Sequence, residues 1–444
     1  MVRLTAPMIL AIISMMFLGL VDTFFISMLG TKELAAASFV MPIYMLLVNF
    51  ALGTGMGISS LTSRLIGEQK LEGAARFITD SYILAFAVSI IIALAMCLLI
   101  DPIFMLMGAE EDVMPDIRGY MYIILFGTPV LILTFITNST FRAIGHIKAS
   151  AIFSIQLSLL NLLLDPLLIF GMGPFPELGM PGAGLATVLA AFITWVCSFY
   201  VIGFREKLLD FTKPKIEHLK TNWRDLCAIA IPAIGANMMT PVAAAIMTAL
   251  IARHGAEAVA GFGVGARIES MSLIIVFALS STLPMFIGQN IGAGRGDRAY
   301  QALMMCLKFS IFFQIGVYFL LLLLSPLITT SFSDNATVIS VLSTYLLIIP
   351  LTYSAHGVVV LVMVSLNVLK RPRTALKITM IRLLALYLPL AYLGSIFWGI
   401  PGLFIGAACG NVIAGVIAFR IIKGVCFEQG LDKNNMEQVQ VNQT

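Results

Sequence analysis

The sequence predicts an all-α integral membrane protein, with twelve transmembrane helices arranged as two parallel six-helix bundles. Of its 444 residues, 59% are hydrophobic and only 11% are charged, whereas soluble domains carry about 25% charged residues. Apolar windows follow one another along nearly the whole chain, and each reaches the roughly 18 residues that a bilayer-spanning helix needs. A β-barrel is disfavoured, because its strands would instead show weak alternation over about ten residues.

The twelve predicted spans divide the chain into two lobes. The spans are Leu4–Leu29, Leu34–Leu65, Phe77–Ile100, Arg118–Phe141, Ser150–Phe170, Ala183–Ile202, Asp225–Ile251, Val259–Ile287, Gln301–Ile328, Val338–Leu369, Leu376–Phe397 and Gly402–Ile422. The predicted domains are an amino-terminal lobe (1–203), a basic cytoplasmic linker (204–224), a carboxy-terminal lobe (225–427) and a disordered polar tail (428–444). The apolar start of the chain is interpreted as the first span because it lacks a small-residue cleavage site.

The distribution of basic residues predicts the orientation of the spans. If both termini lie in the cytoplasm, only Lys32, Arg118, Arg253 and Arg267 of the 27 Lys and Arg residues face the outer side. Cytoplasmic loops carry this kind of excess. The predicted location is therefore the inner membrane, crossed many times, with both termini cytoplasmic.

An internal repeat relates the two lobes. A shift of 225 residues places Pro232 on Pro7 and aligns the loop at 292–299 with the loop at 67–74. Each copy holds six spans, an even number, so both copies have the same orientation in the membrane. Parallel repeats of this kind suit alternating access to a cavity between the lobes.

Several function classes lack their signatures in this sequence. There is no Gly-x4-Gly-Lys-Ser/Thr phosphate loop, no HExxH motif and no serine-nucleophile elbow. The six cysteines are scattered without a CxxC pair, which is typical of buried apolar residues rather than of a metal site or disulfide framework. We therefore expect a transporter driven by an ion gradient, with no cofactor and no nucleic-acid partner, rather than a membrane-embedded enzyme.

Two carboxylates inside predicted spans are the main candidates for an ion-coupling site. Asp22 lies in the outer half of the first span, and Asp165 lies in the fifth span one helical turn after Asn161. An intramembrane carboxylate costs a few kcal/mol, about 3 on insertion scales, and usually marks a functional site. The alternative for Asp165 is a structural role beside Pro166, as part of a helix kink.

The repeat supplies an internal control for these candidates. The second-lobe residues that align with Asp22, Asn138, Asn161 and Asp165 are Met247, Met363, Leu386 and Leu390. Because the second lobe needs no equivalents, the polar cluster is predicted to belong to the first lobe alone and to serve function. Tyr120 is a weaker candidate, since it aligns with Tyr345.

The chemistry of this cluster leaves the coupling ion open. Two carboxylates in a low-dielectric pocket disfavour joint ionisation and titrate as a coupled pair, so the site suits a proton. With amide oxygens nearby it also suits a hard cation such as sodium, which prefers oxygen ligands.

Other polar residues have both structural and functional interpretations. Arg267 and Glu269 in the eighth span form a mutually satisfied pair, or Arg267 reaches the outer surface, or the two make a cavity or gate contact in the second lobe. Arg382 is interpreted as an interfacial charge. Pro7 is either a proline of the first helical turn or a kink that bends the first helix. No role is predicted for His146, His218, His254 and His356.

Several segments together resemble the multidrug and toxic compound extrusion (MATE) family. They are Val-Asp-Thr at 21–23, Phe-Arg-Ala-Ile-Gly-His-Ile-Lys at 141–148, Asn-Leu-Leu-Leu-Asp-Pro-Leu-Leu-Ile-Phe-Gly at 161–171, Gly-Met-Pro-Gly-Ala-Gly-Leu-Ala-Thr at 179–187 and Ile-Gly-Gln-Asn-Ile-Gly-Ala-Gly-Arg at 287–295. Their order and spacing cover nearly the whole chain. The aspartate in the first span, with acidic residues confined to the first lobe, is similar to the DinF-like branch.

This resemblance implies a V-shaped pair of bundles that extrudes amphipathic, often cationic drugs in exchange for protons or sodium. It implies an ion site on Asp22 with Asn161 and Asp165, and further polar positions at Tyr120, Asn138 and Thr187. It also implies that the first helix bends at Pro7, although here Pro7 lies only six residues from the start of the sequence. We expect a monomer in membrane lipid. Its substrates are expected to be small-molecule drugs, so that it confers drug resistance.

Two rival functions share parts of this pattern. A flippase for lipid-linked oligosaccharides or peptidoglycan precursors has the same superfamily architecture, but it predicts a cavity rich in Arg and Lys for pyrophosphate. The basic residues of this chain lie mostly in cytoplasmic loops. A non-transporting membrane scaffold is disfavoured by the one-sided acidic cluster.

Overall fold

A computed structural model describes residues 2–213 and 215–431 of the chain. The described residues form the helices α1 (Val2–Leu29), α2 (Thr31–Gly67), α3 (Leu71–Leu106), α4 (Met114–Ala143), α5 (Ile147–Ile169), α6 (Met180–Tyr200), α7 (Ile216–Ala252), α8 (Ala256–Ser272), α9 (Ile274–Gly292), α10 (Gly296–Phe332), α11 (Ala336–Ile348), α12 (Tyr353–Val368), α13 (Pro372–Met380) and α14 (Leu388–Glu428). Two π-helical turns, Val201–Arg205 and Ile381–Tyr387, and a 3₁₀ turn, Ile349–Thr352, interrupt this series.

The predicted all-α membrane fold with twelve spans is confirmed. Eleven helical segments of the described chain are long and apolar enough to cross a membrane. The last of them, Pro372–Glu428, has 57 residues, or about 85 Å of helix, against a hydrocarbon core of about 30 Å. Non-helical backbone at Trp398 and Gly399 breaks it, which separates the eleventh and twelfth spans.

The helix bounds repeat with the spacing that the sequence predicts. A shift of 225 residues carries the first and last residues of α2 onto the start of α8 and the end of α9. The same shift carries the start of α3 onto the start of α10. Gly30 and Gly255 separate the first and second spans of each copy, with φ values of 153° and 109°. Residues other than glycine rarely adopt such φ values, which explains the glycine at both positions.

The chain folds as two compact units, Met1–Ile234 and Gly235–Thr444, so the division lies inside α7. It falls later than the predicted lobe boundary because the first part of α7 packs tightly on α2. A Cβ added at Gly53 would lie 2.7 Å from the backbone nitrogen of Ile234. The predicted linker 204–224 is also partly helical, since α7 begins at Ile216. Of the predicted disordered tail, residues 432–444 lie outside the described residues.

A buried carboxylate attaches the start of α7 to α3. Asp80 has no exposed side-chain surface, and its Oδ1 accepts a 2.6 Å hydrogen bond from Arg76 Nη2. Its Oδ2 accepts a 2.7 Å bond from Asn222 Nδ2, and its backbone carbonyl accepts a 2.9 Å bond from Trp223 Nε1. Asp80 therefore ties two helices together through both its side chain and its backbone.

The same arginine holds the segment between α6 and α7. Arg76 Nη1 donates to Asp210 Oδ2 at 3.4 Å and to the Thr212 carbonyl at 3.0 Å. Hydrogen bonds from the hydroxyl and backbone N–H of Thr212 lower the pKa of Asp210 from its ordinary value. This part of the predicted linker is thus anchored to the first unit.

Candidate functional site

The first unit encloses the predicted carboxylate of the fifth span. Helix α5 packs against α1 and α6, and these contacts leave Asp165 fully buried and Asn161 4% exposed. Asn161 Nδ2 donates to Asp165 Oδ1 at 3.2 Å and lies 3.4 Å from Thr187 Oγ1 on α6. Three of the predicted residues therefore form one hydrogen-bonded group inside the unit.

Asp22 on α1 lies near this hydrogen-bonded group. It is half-buried, and its charge acts on Asp165 and on the phenols of Tyr44 and Tyr120. Asp22 Oδ1 and Asp165 Oδ2 are both buried without a hydrogen-bond partner among the described residues. A buried polar atom left in this state costs about 1–3 kcal/mol. We call the surroundings of these two carboxylates the carboxylate pocket; its two acceptor atoms are ones that a proton or a cation would satisfy.

The other predicted site residues lie beside this pocket. Tyr120 is buried against α6, where a Cβ added at Gly184 would lie 3.3 Å from its ring. Asn138 Nδ2 donates to Ser154 Oγ at 2.6 Å. Because Ser154 precedes Asn161 by about two helical turns, Asn138 extends the polar path along α5. The roles of all these residues in ion coupling stay predictions.

Tyr44 on α2 is a pocket residue that the sequence analysis missed. Its phenol is within the electrostatic range of Asp22. The repeat offered a signal for it, since Tyr44 aligns with Glu269 under the 225-residue shift. A pair of aligned polar residues in two apolar spans indicates a position that faces the interior of each unit.

Pro7 lies within α1, which the structure describes as one helix from Val2 to Leu29. Bending of this helix at Pro7 during transport stays a prediction.

Gly182 on α6 controls how closely α6 approaches the end of α5. A Cβ at this position would lie 2.4 Å from the carbonyl oxygen of Leu168, three residues after Asp165. We expect Gly182→Ala to separate the two helices and to lower the free energy of unfolding by about 2 kcal/mol. Thermal unfolding in detergent checks this. Gly316→Ala is the matched control, because nothing lies within 4 Å of its added Cβ. Equal stabilities of the two variants would contradict the close-packing argument.

The second unit contains a polar cluster of its own, which we call the Glu269 cluster. Tyr345 OH donates to Glu269 Oε2 at 2.6 Å, and His356 Nδ1 lies 3.2 Å from Glu269 Oε1. Of the alternatives for Arg267 and Glu269, the mutual pair is not seen among the described residues, because Glu269 bonds Tyr345 and His356 while the Arg267 side chain is exposed. Residues two apart on a helix do not share a face.

Arg382 extends the cluster from the eleventh span. It is half-buried, and its Nε donates to Asn411 Oδ1 at 3.1 Å. Asn411 Nδ2 in turn lies 3.5 Å from Thr352 Oγ1, and the charge of Arg382 acts on Glu269. The interpretation of Arg382 as an interfacial charge is therefore wrong. The second unit therefore has a buried polar cluster of its own, built at positions other than those that align with Asp22, Asn138, Asn161 and Asp165.

Two repeated sets of apolar spans with buried ionisable groups inside them define a multi-pass membrane protein of the transporter class. The chain belongs to the MatE family, whose model matches residues 7–167 and 232–393. The two matched segments start 225 residues apart and therefore coincide with the internal repeat. The predicted family is confirmed.

Individual relatives extend this finding over nearly the whole chain. A FAD transporter from Shewanella oneidensis is 37% identical over 424 residues, which is 96% of this chain and 94% of that protein. The multidrug export protein MepA from Staphylococcus aureus is 25% identical over 67% of this chain and 65% of its own length. Among solved structures, the Vibrio cholerae MATE transporter VcmN in the bent form matches with a TM-score of 0.92 and 30% identity, over 97% of each chain.

Proposed function

We propose that this transporter is a proton-coupled exporter of amphipathic organic compounds in the inner membrane, with both termini in the cytoplasm. The observation that carries the proposal is the enclosed pair of carboxylates, Asp22 and Asp165, each with one buried oxygen that has no partner among the described residues. An intramembrane carboxylate costs insertion free energy and therefore usually has a functional role. The aligned positions in the second unit, Met247 and Leu390, show that the fold itself does not require them.

The pocket performs exchange if its proton and the substrate favour different states of the carrier. In the outward-open state a proton binds the Asp22–Asp165 pair and weakens the hold on the substrate, which leaves. The protonated carrier turns inward and releases the proton. The coupling required is modest, because each tenfold difference in affinity between two states corresponds to about 1.4 kcal/mol.

The pairing of two carboxylates supports a proton as the coupling ion. Two neighbouring carboxylates in a low-dielectric site disfavour joint ionisation and titrate as a coupled pair, so the site takes up a proton readily.

Two kinds of compound are candidate substrates. Relatives named as multidrug exporters support amphipathic, often cationic drugs. A flavin dinucleotide is the second candidate, since the FAD transporter of Shewanella oneidensis is more similar, at 37% identity over 96% of this chain. FAD carries a pyrophosphate, and the half-buried guanidinium of Arg382 supplies a positive charge within the second unit.

Uptake into inverted membrane vesicles tests both the coupling ion and the substrate. We expect ethidium or FAD to accumulate when a pH gradient is imposed, and we expect an equal sodium gradient to drive no uptake. Competition between the two compounds identifies the preferred one.

Uptake under a sodium gradient alone would contradict proton coupling. If neither compound accumulates under either gradient, in vesicles where the protein is present and folded, the proposed function is wrong. Vesicles that lack the transporter are the control.

A further inference from the structure

The helices around the Glu269 cluster depart from α-helical geometry at the cluster. The eighth span is interrupted between Ser272 and Ile274, directly after Glu269. The tenth span contains the 3₁₀ turn Ile349–Thr352, between Tyr345 and His356, and the eleventh contains the π-helical turn Ile381–Tyr387, which includes Arg382. Such mid-helix 3₁₀ and π segments often mark functional sites.

The first unit shows that the repeat does not impose these interruptions. Its helices α2 and α4, which align with the eighth and tenth spans, are continuous α-helices. The positions that align with Glu269, His356 and Arg382 are Tyr44, Leu131 and Leu157. The carboxylate, the imidazole and the guanidinium are therefore additions of the second unit, beyond what the shared architecture needs.

A buried side chain supports the interruption of the eighth span. Gln314 on α10 is fully buried, and its Nε2 donates to the backbone carbonyl of Ser272 at 3.0 Å. The aligned residue of the first unit is Ser89, whose hydroxyl bonds the Phe86 carbonyl of its own helix. The break beside Glu269 is thus held by a specific contact.

The contact between Glu269 and His356 requires a proton. At 3.2 Å, Oε1 and Nδ1 repel one another unless one of them carries a hydrogen, and neutral histidine supplies it as Nδ1–H. Nε2 of the same ring is then a free acceptor, to which the described residues give no hydrogen bond. The side chain of His356 keeps 17% of its surface exposed, so the imidazole is not sealed inside the unit.

We propose that His356, held by Glu269, is a second proton-binding site of the transporter, which is loaded at Nε2 and emptied during transport. The proposal rests on proton-coupled transport, but it does not require the Asp22 pocket to be the only site. Loading produces a His356 imidazolium beside the Glu269 carboxylate. Glu269 acts as the positioning residue, because it fixes the ring through Nδ1 and balances the new charge.

The groups that face the pair are suited to this role. Tyr345 on α11 donates a hydrogen bond to Glu269 Oε2, the carboxylate oxygen that does not contact His356. The charge of Arg382 acts on both Glu269 and His356: it favours the ionised carboxylate and opposes a positive imidazole, so the Glu269 carboxylate has to balance the loaded ring. The remaining titratable neighbours, Tyr353 on α12 and Tyr387 on the π-helical turn, are phenols within electrostatic range of Glu269. The extra proton therefore goes to the imidazole.

The number of protons exchanged per substrate molecule tests the proposal. In proteoliposomes, with ethidium or FAD as the substrate, we expect His356→Gln to exchange one proton fewer than the wild type and Glu269→Gln to shift the pH profile of transport. His218→Gln, an exposed histidine on α7, should match the wild type. Asp22→Asn tests the proposed function separately, since it should abolish coupled transport altogether. A wild-type proton ratio and pH profile in His356→Gln would overturn the second site.

A direct titration covers the case in which these variants do not fold. A variant that replaces His146, His218 and His254 by Gln leaves His356 as the one imidazole of the sequence. The imidazole ¹⁵N NMR signals of this variant should show protonation of His356 Nε2 as the pH falls from about 8 to about 5. Signals that do not change across this range would overturn the proposal.

Discussion

Replacing Asp22 by Asn should abolish gradient-driven efflux while the protein still inserts and folds. The substitution preserves the size of the side chain but removes the proton-binding oxygen, so the carrier loses the energy of the gradient. It exchanges a carboxylate oxygen for a neutral amide and breaks no hydrogen bond to Oδ1, which has no partner among the described residues, so there is little structural reason for it to destabilise the fold. Ethidium efflux from cells and the thermal unfolding midpoint in detergent measure the two effects.

Asp101→Asn is the matched control for this prediction. Asp101 is 47% exposed and forms an ion pair with Arg118 outside the carboxylate pocket, and exposed pairs contribute about 0–1 kcal/mol. We expect normal efflux in this variant. Normal efflux in Asp22→Asn as well would contradict the coupling mechanism.

Replacing Asp80 by Ala should give the largest loss of stability among the substitutions considered. It leaves the guanidinium of Arg76, which is 14% exposed, without its closest carboxylate, and it leaves Asn222 Nδ2 without its acceptor. Removing one partner of a buried ion pair typically costs about 3–5 kcal/mol. We expect about 3 kcal/mol here, because Arg76 keeps its bonds to Asp210 and Thr212.

Thermal unfolding and limited proteolysis measure this loss. The segment 206–213 should become more susceptible to protease, since Arg76 anchors it to α3 through Asp210 and Thr212 and Asp80 orients Arg76. Asp101→Ala removes an exposed carboxylate of the same type and should change stability by less than about 1 kcal/mol. If Asp80→Ala were as stable and as protease-resistant as this control, the anchoring role would be wrong.

Most of the fold was predictable from the sequence because two strong signals agree. Apolar runs identify membrane spans by their length alone. The repeat that places Pro232 on Pro7 indicates that each unit holds the same number of spans. The same repeat identified Asp22, Asn161 and Asp165, since a polar residue opposite an apolar partner needs another explanation than the fold. Hydrogen bonds between Asn161 and Asp165 and between Asn161 and Thr187 then show three predicted residues in one pocket.

The Glu269 cluster was not predictable in this way because its members come from four different spans. Arg267 was the obvious partner for Glu269 by closeness in sequence, whereas the observed partners, Tyr345 and His356, lie 76 and 87 positions away. Single residues such as His356 and Arg382 carry no periodic signal of their own. Only the packing of the second unit brings them together.

The helix interruptions were hidden for a similar reason. Pro350 gives a local signal for the 3₁₀ turn Ile349–Thr352, because proline lacks the N–H of a regular helix. The break at Leu273 has no such residue; it depends on Gln314, from another helix, to bond the Ser272 carbonyl. Tertiary contacts of this kind override a helical sequence pattern.

The most direct test of the account is whether substrate moves protons through Asp22. Inverted vesicles with an acidic lumen and a fluorescent pH indicator report any loss of the gradient when ethidium or FAD is added. We predict that the wild type dissipates part of the gradient on addition of its substrate and that Asp22→Asn leaves it unchanged. An equal loss in Asp22→Asn, at equal protein levels, would contradict the claim that this carboxylate couples transport to protons.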